Sequence, residues 1–360
     1  MKANFNTSQL QNLVTKAVKG ASNNKLLPLT SLMSVDYDGN GKLSLTTTDY
    51  TNYLIVSASD ISMSDDEIHA VVSAETFAKL VSKMTSESVT IEQTDEFLHV
   101  SGGKSDYKIE IALDVDGSAI VLKAPEFKAE VNQSVKLASV KNILATAKSA
   151  LATELKAPCY TAYYVGDNIL STDSYRVCAI REKLLDKPVL VRADTMDLLD
   201  IAESDLKCGV DGESLRFVTD DGTFSLTTKV NEGIESYAVD ALNQFVNSEF
   251  DAKCTMRKND LLQALDRLVL FVSDYDRNTI NLLFDKDSLT LTNKKNAGKE
   301  VVEYSGDKTE KLFECAINIE FLVSQIKAHP NDDITISYGL PNCIKIESGD
   351  VTQIIALCNE

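Results

Sequence analysis

In the segment "TSQLQNLVTKAVKG", Leu10, Leu13, Val14, Ala17 and Val18 fall at i, i+3, i+4, i+7 and i+8. That spacing paints one apolar face on a helix. Thr7 or Ser8 stands where an N-cap belongs and Gly20 where a helix stops. The pattern then shortens to the two-residue alternation of strands in "KLSLTTTDY" and "YLIVSAS". A second helical stripe follows in "SAETFAKLVSKM", carried by Phe77, Leu80, Val81 and Met84. Three further strand-like runs, "SVTIEQ", "FLHVSG" and "YKIEIAL", end the series.

The same order recurs twice. Helix "VKNILATAKSALA" (Val140, Ile143, Leu144, Ala147 and Leu151 on one side) precedes "NILSTDSYRVCAI", the counterpart of "KLSLTTTDY"; helix "RADTMDLLDIAES" precedes "SLRFVTD" and "TFSLTTKV". In the last third, "KNDLLQALDRLVLF" leads to "SLTLTNKK" and "KEVVEYS", and "NIEFLVSQIKA" to "DITISY", "NCIKIES" and "VTQIIAL". Asp49, Asp173 and Asn293 hold matching places after a strand, at intervals of 124 and 120 residues. Val72, Val191 and Ile317 each lead into the second helix, at intervals of 119 and 126. The expected architecture is therefore three α+β domains of one kind, 1–125, 126–249 and 250–360, joined near "KAPEFKAEV" and "NSEFDAKC". Strand-rich units with two helices on one face pack helix on sheet. Three such units end to end can curve, and two chains can close a ring with C2 symmetry.

Composition narrows the classes. With 360 residues, 44% of them hydrophobic and 25% charged, the chain can fill more than one core. No apolar run approaches the ~18 residues of a membrane span, and "MKANFNTSQLQNLV" has no signal-like core. Seven cysteines with no CxxC pair read as reduced core thiols in a cytoplasmic protein. His69, His99 and His329 are too scattered for most zinc sites or a His-based triad. A net charge of −18 argues against coating nucleic acid by bulk electrostatics, but permits basic residues confined to one surface. "DYDGNG" at 36–41 mimics the start of a calcium loop, yet its twelfth position is Thr47 and it runs into a strand. A hairpin turn is the expected structure there.

The stretch "LSTDSYRVCAI", Leu170 to Ile180, begins and ends like a strand but is interrupted by five polar or aromatic residues. Taken alone it could be a turn, a catalytic cluster or the wall of a binding site. "TDSYR" resembles the T-D-[GS]-[HY]-R motif in the middle domain of the bacterial DNA polymerase III β subunit, the sliding-clamp family. "LLPLTSLM" at 26–33 and "LSLTTTD" at 43–49 are similar to that family's L-P-I-L and L-S-L-T-x-T-D segments. The order of elements resembles the family over the whole chain.

The resemblance implies a non-enzymatic processivity factor without catalytic residues, metal or other cofactors. It implies a head-to-tail homodimer that encircles duplex DNA, works in the cytoplasm at the nucleoid, and makes no membrane contact. The implied partners are a replicative polymerase, repair proteins with clamp-binding peptides, and an ATP-dependent loader, since no GxxxxGK[ST] motif occurs here. Carried over residue by residue, Thr172, Ser174, Tyr175, Arg176 and Val177 form one wall of a peptide pocket, and Ile354, Ala356, Leu357 and Cys358 the other. Tyr237 and Val239 join it from "IESYAVD", where the family has F-P-D-Y-R-R. The tail "ALCNE" departs from the family's M-P-M-R-L.

For DNA, the implied helix faces carry Lys16, Lys19, Lys79, Lys83, Lys141, Lys148, Arg257 and Lys258. The acidic helix with Asp194, Asp197, Asp200 and Glu203 runs against that pattern. Tyr107, Phe271 and Val272 match positions at the family's subunit interface. Two rival readings stay open: a clamp-fold scaffold that binds proteins without encircling DNA, and a metal-dependent hydrolase using Asp pairs in "SDYDRN" or "NDD".

Overall fold

A computed structural model describes residues 1–62, 64–153, 157–295, 297–306 and 311–358. Among these, 24 strands close into four antiparallel sheets. The chain divides into two compact units, Met1–Ala138 with Asp194–Val230, and Ser139–Ala193 with Asn231–Glu360.

In the first unit, a four-stranded sheet has the order β1 (Lys2–Asn6), β6 (Ser88–Gln93), β7 (Phe97–Gly102), β8 (Ser105–Glu110). An eight-stranded sheet runs β5 (Ile68–Ser73), β2 (Leu32–Tyr37), β3 (Leu43–Thr48), β4 (Asn52–Ala58), β16 (Phe224–Lys229), β15 (Ser214–Thr219), β14 (Leu206–Asp211), β9 (Gln133–Val135). Helices α1 (Thr7–Ala17) and α2 (Ala74–Ser82) bury Leu10, Leu13, Val14, Phe77 and Val81, while α4 (Ala193–Leu199) buries Met196 and Leu199.

The eight-stranded sheet of the second unit repeats that order strand for strand. It runs β13 (Val189–Arg192), β10 (Ala162–Val165), β11 (Ile169–Thr172), β12 (Arg176–Ile180), β24 (Val351–Ala356), β23 (Cys343–Ser348), β22 (Asp333–Tyr338), β17 (Ala252–Arg257). The four-stranded sheet of this unit runs β20 (Lys299–Glu303), β19 (Ser288–Asn293), β18 (Thr279–Phe284), β21 (Phe313–Asn318). Helices α3 (Leu137–Thr146), α5 (Val239–Val246), α6 (Lys258–Leu268) and α7 (Ile319–Ala328) accompany them. The core includes Phe284 stacked on Tyr338 at 4.2 Å between ring centroids.

The repeat anchors occupy equivalent ladder positions. Val72 lies opposite Met33, Val191 opposite Tyr163 and Ile317 opposite Ile280, each on the strand that feeds the second helix of its repeat. Each eight-stranded sheet joins four strands of one repeat to four of the next, so sheet continuity, rather than the repeat, sets the compact units.

Three local expectations change. The cap of α1 is Asn6, whose side chain accepts the Gln9 N–H at 3.1 Å, while Thr7 is already helical and donates to the Ser86 carbonyl. Gly20 does not stop the helix in a left-handed turn. The helix tightens into a 3-10 turn, and a Cβ at Gly20 would lie 2.5 Å from Thr47 Oγ1 and 2.8 Å from Leu54 Cβ. The glycine is there for close packing. Finally, α5 is a helix to which the pattern reading assigns no element, although Val239, Leu242 and Val246 have helical spacing. The "DYDGNG" segment is the β2–β3 connection, as its composition indicates: Asp38 Oδ1 accepts the Asn40 and Lys42 amides, which hold its carboxyl below the usual range. Among the described residues no helix is long and apolar enough to cross a membrane.

Candidate functional site

The interruption in "LSTDSYRVCAI" is the hairpin turn between β11 and β12, with Thr172 opposite Val177. Asp173 Oδ1 accepts the amides of Tyr175 (2.9 Å) and Arg176 (2.7 Å). Thr172 Oγ1 accepts the Ser174 amide at 3.0 Å and donates to the Arg176 carbonyl at 2.7 Å. Ser174 sits at φ 77°, a left-handed conformation that this bonding supports. The polar residues that break the apolar run therefore serve the turn itself.

The turn aims two side chains at α7. Arg176 Nε (2.8 Å) and Nη2 (2.6 Å) both donate to Asp173 Oδ2, and Nη1 donates to Ser324 Oγ at 2.7 Å. Its guanidinium lies 4.5 Å from the centroid of Phe321, and the Tyr175 ring stacks on the same ring at 5.8 Å. Arg176 and Asp173 are largely buried, whereas Tyr175 is 61% exposed. Arg176 holds the loop against α7 through three bonds to protein groups.

Beside this stack lies a groove of about 720 Å³, whose lining includes Tyr175, Tyr275, Phe321, Ala356, Leu357 and Cys358. A second hollow of about 510 Å³, next to Ala152 and Ser174, shares the Tyr175–Phe321 wall. Both volumes suit small ligands or a few residues of peptide. The tail enters through backbone bonds: Ala356 N–H donates to the Tyr175 carbonyl, Leu357 N–H to that of Asn342 and Cys358 N–H to that of Ala316. These bonds do not depend on side chains, so "ALC" is held beside Tyr175 through its backbone; Asn359 and Glu360 lie outside the described residues.

The expected pocket residues divide into two sets. Ser174, Tyr175, Arg176, Ala356, Leu357 and Cys358 border the open hollows. Thr172, Val177, Tyr237 and Ile354 are buried, and Val239 packs at the edge of the same cluster. Tyr237 Oη donates to the Leu170 carbonyl at 3.1 Å, and burial pushes its phenol far above the usual range. Phe321, Ser324 and Tyr275 escaped the sequence reading. Phe321 and Ser324, three apart, lie off the buried Ile319–Leu322–Ile326 stripe of α7, and that offset was the available signal.

The basic positions are also not alike. Lys19, Lys83, Lys141, Lys148 and Arg257 are exposed. Lys16 pairs with Glu203 at 2.7 Å, so one carboxylate of the acidic helix region is neutralised by a lysine of α1. Lys79 is paired with Glu75, and Lys258 donates to the carbonyls of His329 (2.6 Å) and Lys327 (3.2 Å) at the end of α7. Tyr107 on β8 is half exposed and lines a hollow with Lys79, Lys83 and Met84. Phe271 is 53% and Leu270 78% exposed; Val272 is half-buried against the core. No cluster of three or more His, Cys, Asp or Glu side chains is placed to hold a metal among the described residues.

Neither a family model nor a curated protein sequence matches the chain. Solved structures match it along its whole length. The DNA polymerase sliding clamp of Bacillus subtilis superposes with a TM-score of 0.85 at 17% identity, covering 100% of this chain and 99% of that one. The β subunit of the Streptococcus pyogenes DNA polymerase gives 0.86 at 16%, with 100% of both chains covered. This chain has the sliding-clamp fold. A Bartonella birtlesii sliding clamp, DNA polymerase III subunit β, solved with bound griselimycin, matches equally well, with a TM-score of 0.86, 15% identity and full coverage of both chains. The clamp fold has three domains, in agreement with the triple repeat, and its sheet-rich α+β character is that of this chain.

Proposed function

We propose that this protein is a non-catalytic DNA polymerase processivity factor, a homodimeric ring that encircles duplex DNA and tethers a replicative polymerase and repair proteins through the Tyr175–Leu357 groove. Its domains are 1–125, 126–249 and 250–360, and a separate ATP-dependent loader opens the ring. The observation that carries this reading is a count of sheets. Both places where one repeat follows another form eight-stranded sheets, and the chain is left with two four-stranded halves, in which the edges equivalent to those joined within the chain are β8 and β20.

By position in the repeats, β20 corresponds to β4 and β12, and β8 to β16 and β24. Within the chain Tyr53 lies opposite Thr227, and Val177 opposite Ile354. The same register sets Lys299 of β20 opposite Lys108 of a second copy, and Glu300 opposite Tyr107. Phe271, next to the exposed Leu270, lies beside the start of β20: a Cβ on Gly298 would meet the Phe271 ring at 3.4 Å. Pairing of the two edges removes an open strand that otherwise invites association at random. The opposed lysines cost roughly 0.2–1 kcal/mol per site, so closure is expected to tighten as salt rises.

Light scattering is expected to give twice the 39.4 kDa chain mass, and Leu270→Asp with Phe271→Asp to give monomers. After loading, wild-type protein is expected to stay on nicked circular DNA and to be lost when the circle is cut. Retention on linear DNA would sink the encircling mechanism. Lys83→Glu with Lys141→Glu is expected to weaken DNA association and flatten its salt dependence. The scaffold reading draws on Lys16, Lys79 and Lys258, which are already engaged by protein groups. A wild-type dimer that binds partner peptides but is never retained on circular DNA would favour it.

A further inference from the structure

The groove has a charged end that its apolar wall does not explain. Tyr275, Asp276 and Arg277 form a short turn, and Lys294 reaches the groove from the end of β19. Arg277 and Asn278 take successive positive φ values of 55° and 50°, a backbone state that residues other than glycine rarely adopt. The turn is fastened on every side. Arg277 N–H donates to the Asp274 carbonyl (2.9 Å) and Asn278 N–H to that of Ser273 (3.1 Å). Asn318 Nδ2 donates to the Arg277 carbonyl at 3.1 Å, and Ile319 N–H to that of Asn278 at 2.8 Å. Asp276, the one acid in the wall, lies 3.8 Å from Lys295. Among the described residues, neither Arg277 nor Lys294 forms an ion pair. The fold thus places two cations next to exposed aromatic and half-buried aliphatic side chains, in a chain of net charge −18.

Resting on the groove being a partner-peptide site, we infer that its peptides carry a carboxylate beside the apolar anchor, read by Arg277 and Lys294. The apolar part packs on Tyr175, Phe321 and Leu357, and the carboxylate lies toward Tyr275. It is supplied by an Asp or Glu side chain or by the peptide's own C-terminus. A guanidinium offers paired donors to either. The long-range field of an acidic protein opposes an acidic ligand, so a preference for acid must come from these two local cations.

The test uses the full-length protein and fluorescein-labelled ten-residue peptides, read by fluorescence anisotropy. All contain one central Leu-Phe pair. Three are amidated and flanked on both sides by Asp-Asp, Asn-Asn or Lys-Lys, and a fourth is the Asn-Asn peptide with a free C-terminus. The Asp peptide is expected to bind at least tenfold tighter than its Asn counterpart, with the Lys peptide weakest. Arg277→Glu with Lys294→Glu is expected to level or invert that order. A free C-terminus that matches the Asp peptide would assign the carboxylate to the chain end. Equal affinities for the three amidated peptides, or an acid preference that survives the double substitution, would overturn the inference and leave the peptide site standing. Absence of binding by any peptide to folded protein would remove both.

Discussion

The turns at Asp49 and Asp173 are the same piece of chemistry put to different ends. In both, the Asp Oδ1 accepts two amides, from Thr51 and Asn52 in one and from Tyr175 and Arg176 in the other. In both, the preceding threonine closes the hairpin and the next residue is left-handed, Tyr50 at φ 72° and Ser174 at φ 77°. They diverge at the fourth position. Asn52 is fully buried, donates to Asp49 Oδ2 at 2.9 Å and accepts from Thr195 Oγ1 at 2.8 Å. Arg176 reaches past the turn to Ser324 and Phe321. One side chain seals a seam, and the other props open a groove. A conserved local geometry can therefore carry either role, and the residue at its exit decides which.

Exchanging that residue gives the largest effect. Asn52→Arg puts a cation where only a neutral amide is satisfied, and is expected to cost on the order of 3–5 kcal/mol, measured by denaturant unfolding. A loss under about 1 kcal/mol would mean that the seam is less tightly packed than described. Next come Asp49→Ala and Asp173→Ala, each expected to cost about 2–3 kcal/mol through amides left without an acceptor. Only the second is expected to abolish peptide binding, because it also releases Arg176. Equal peptide affinity in the two variants would erase the functional difference between the turns. Tyr175→Ala is expected to change stability by less than about 0.5 kcal/mol while weakening peptide binding at least tenfold in a titration.

The smallest effect is a control away from both turns. His329 is buried, and burial lowers its pKa below the ordinary 6.5. The unfolded chain takes up that proton first, so stability is held above pH 6.5 and lost as pH falls below it. His329→Gln is expected to flatten this slope in unfolding experiments repeated across pH 5–7.

Much of the fold could be read from the chain because it is written three times. Val72, Val191 and Ile317 are recognisable since each must be apolar to cover the start of a buried helix. The turn at Asp173 was legible only as an interruption: whether Asp, Ser and Tyr bond inward or face a ligand depends on φ at Ser174, which no side-chain pattern reports. The groove was partly legible. Tyr175 and Leu357 could be placed by resemblance, but Phe321 lies 146 residues from Tyr175 in sequence, on a separate helix. Val177 and Ile354 sit on alternating strands, where a shift of one residue exchanges groove for core. The short strands β9, β10 and β13 carry too few residues for alternation to show. The lysines differ for a similar reason: the helical wheel gives the face of Lys16, but not the Glu203 carboxylate that meets it.

The side chain of Tyr275 is 96% exposed on a turn whose backbone is fastened on every side. The chain contains no tryptophan. Together these make the groove an optical vantage point. Tyr275→Trp would give the molecule a single indole, held on a fixed post and surrounded by water, whose emission shifts to the blue when a ligand covers it. Occupancy of the groove could then be followed in unlabelled protein, free of background from the cores.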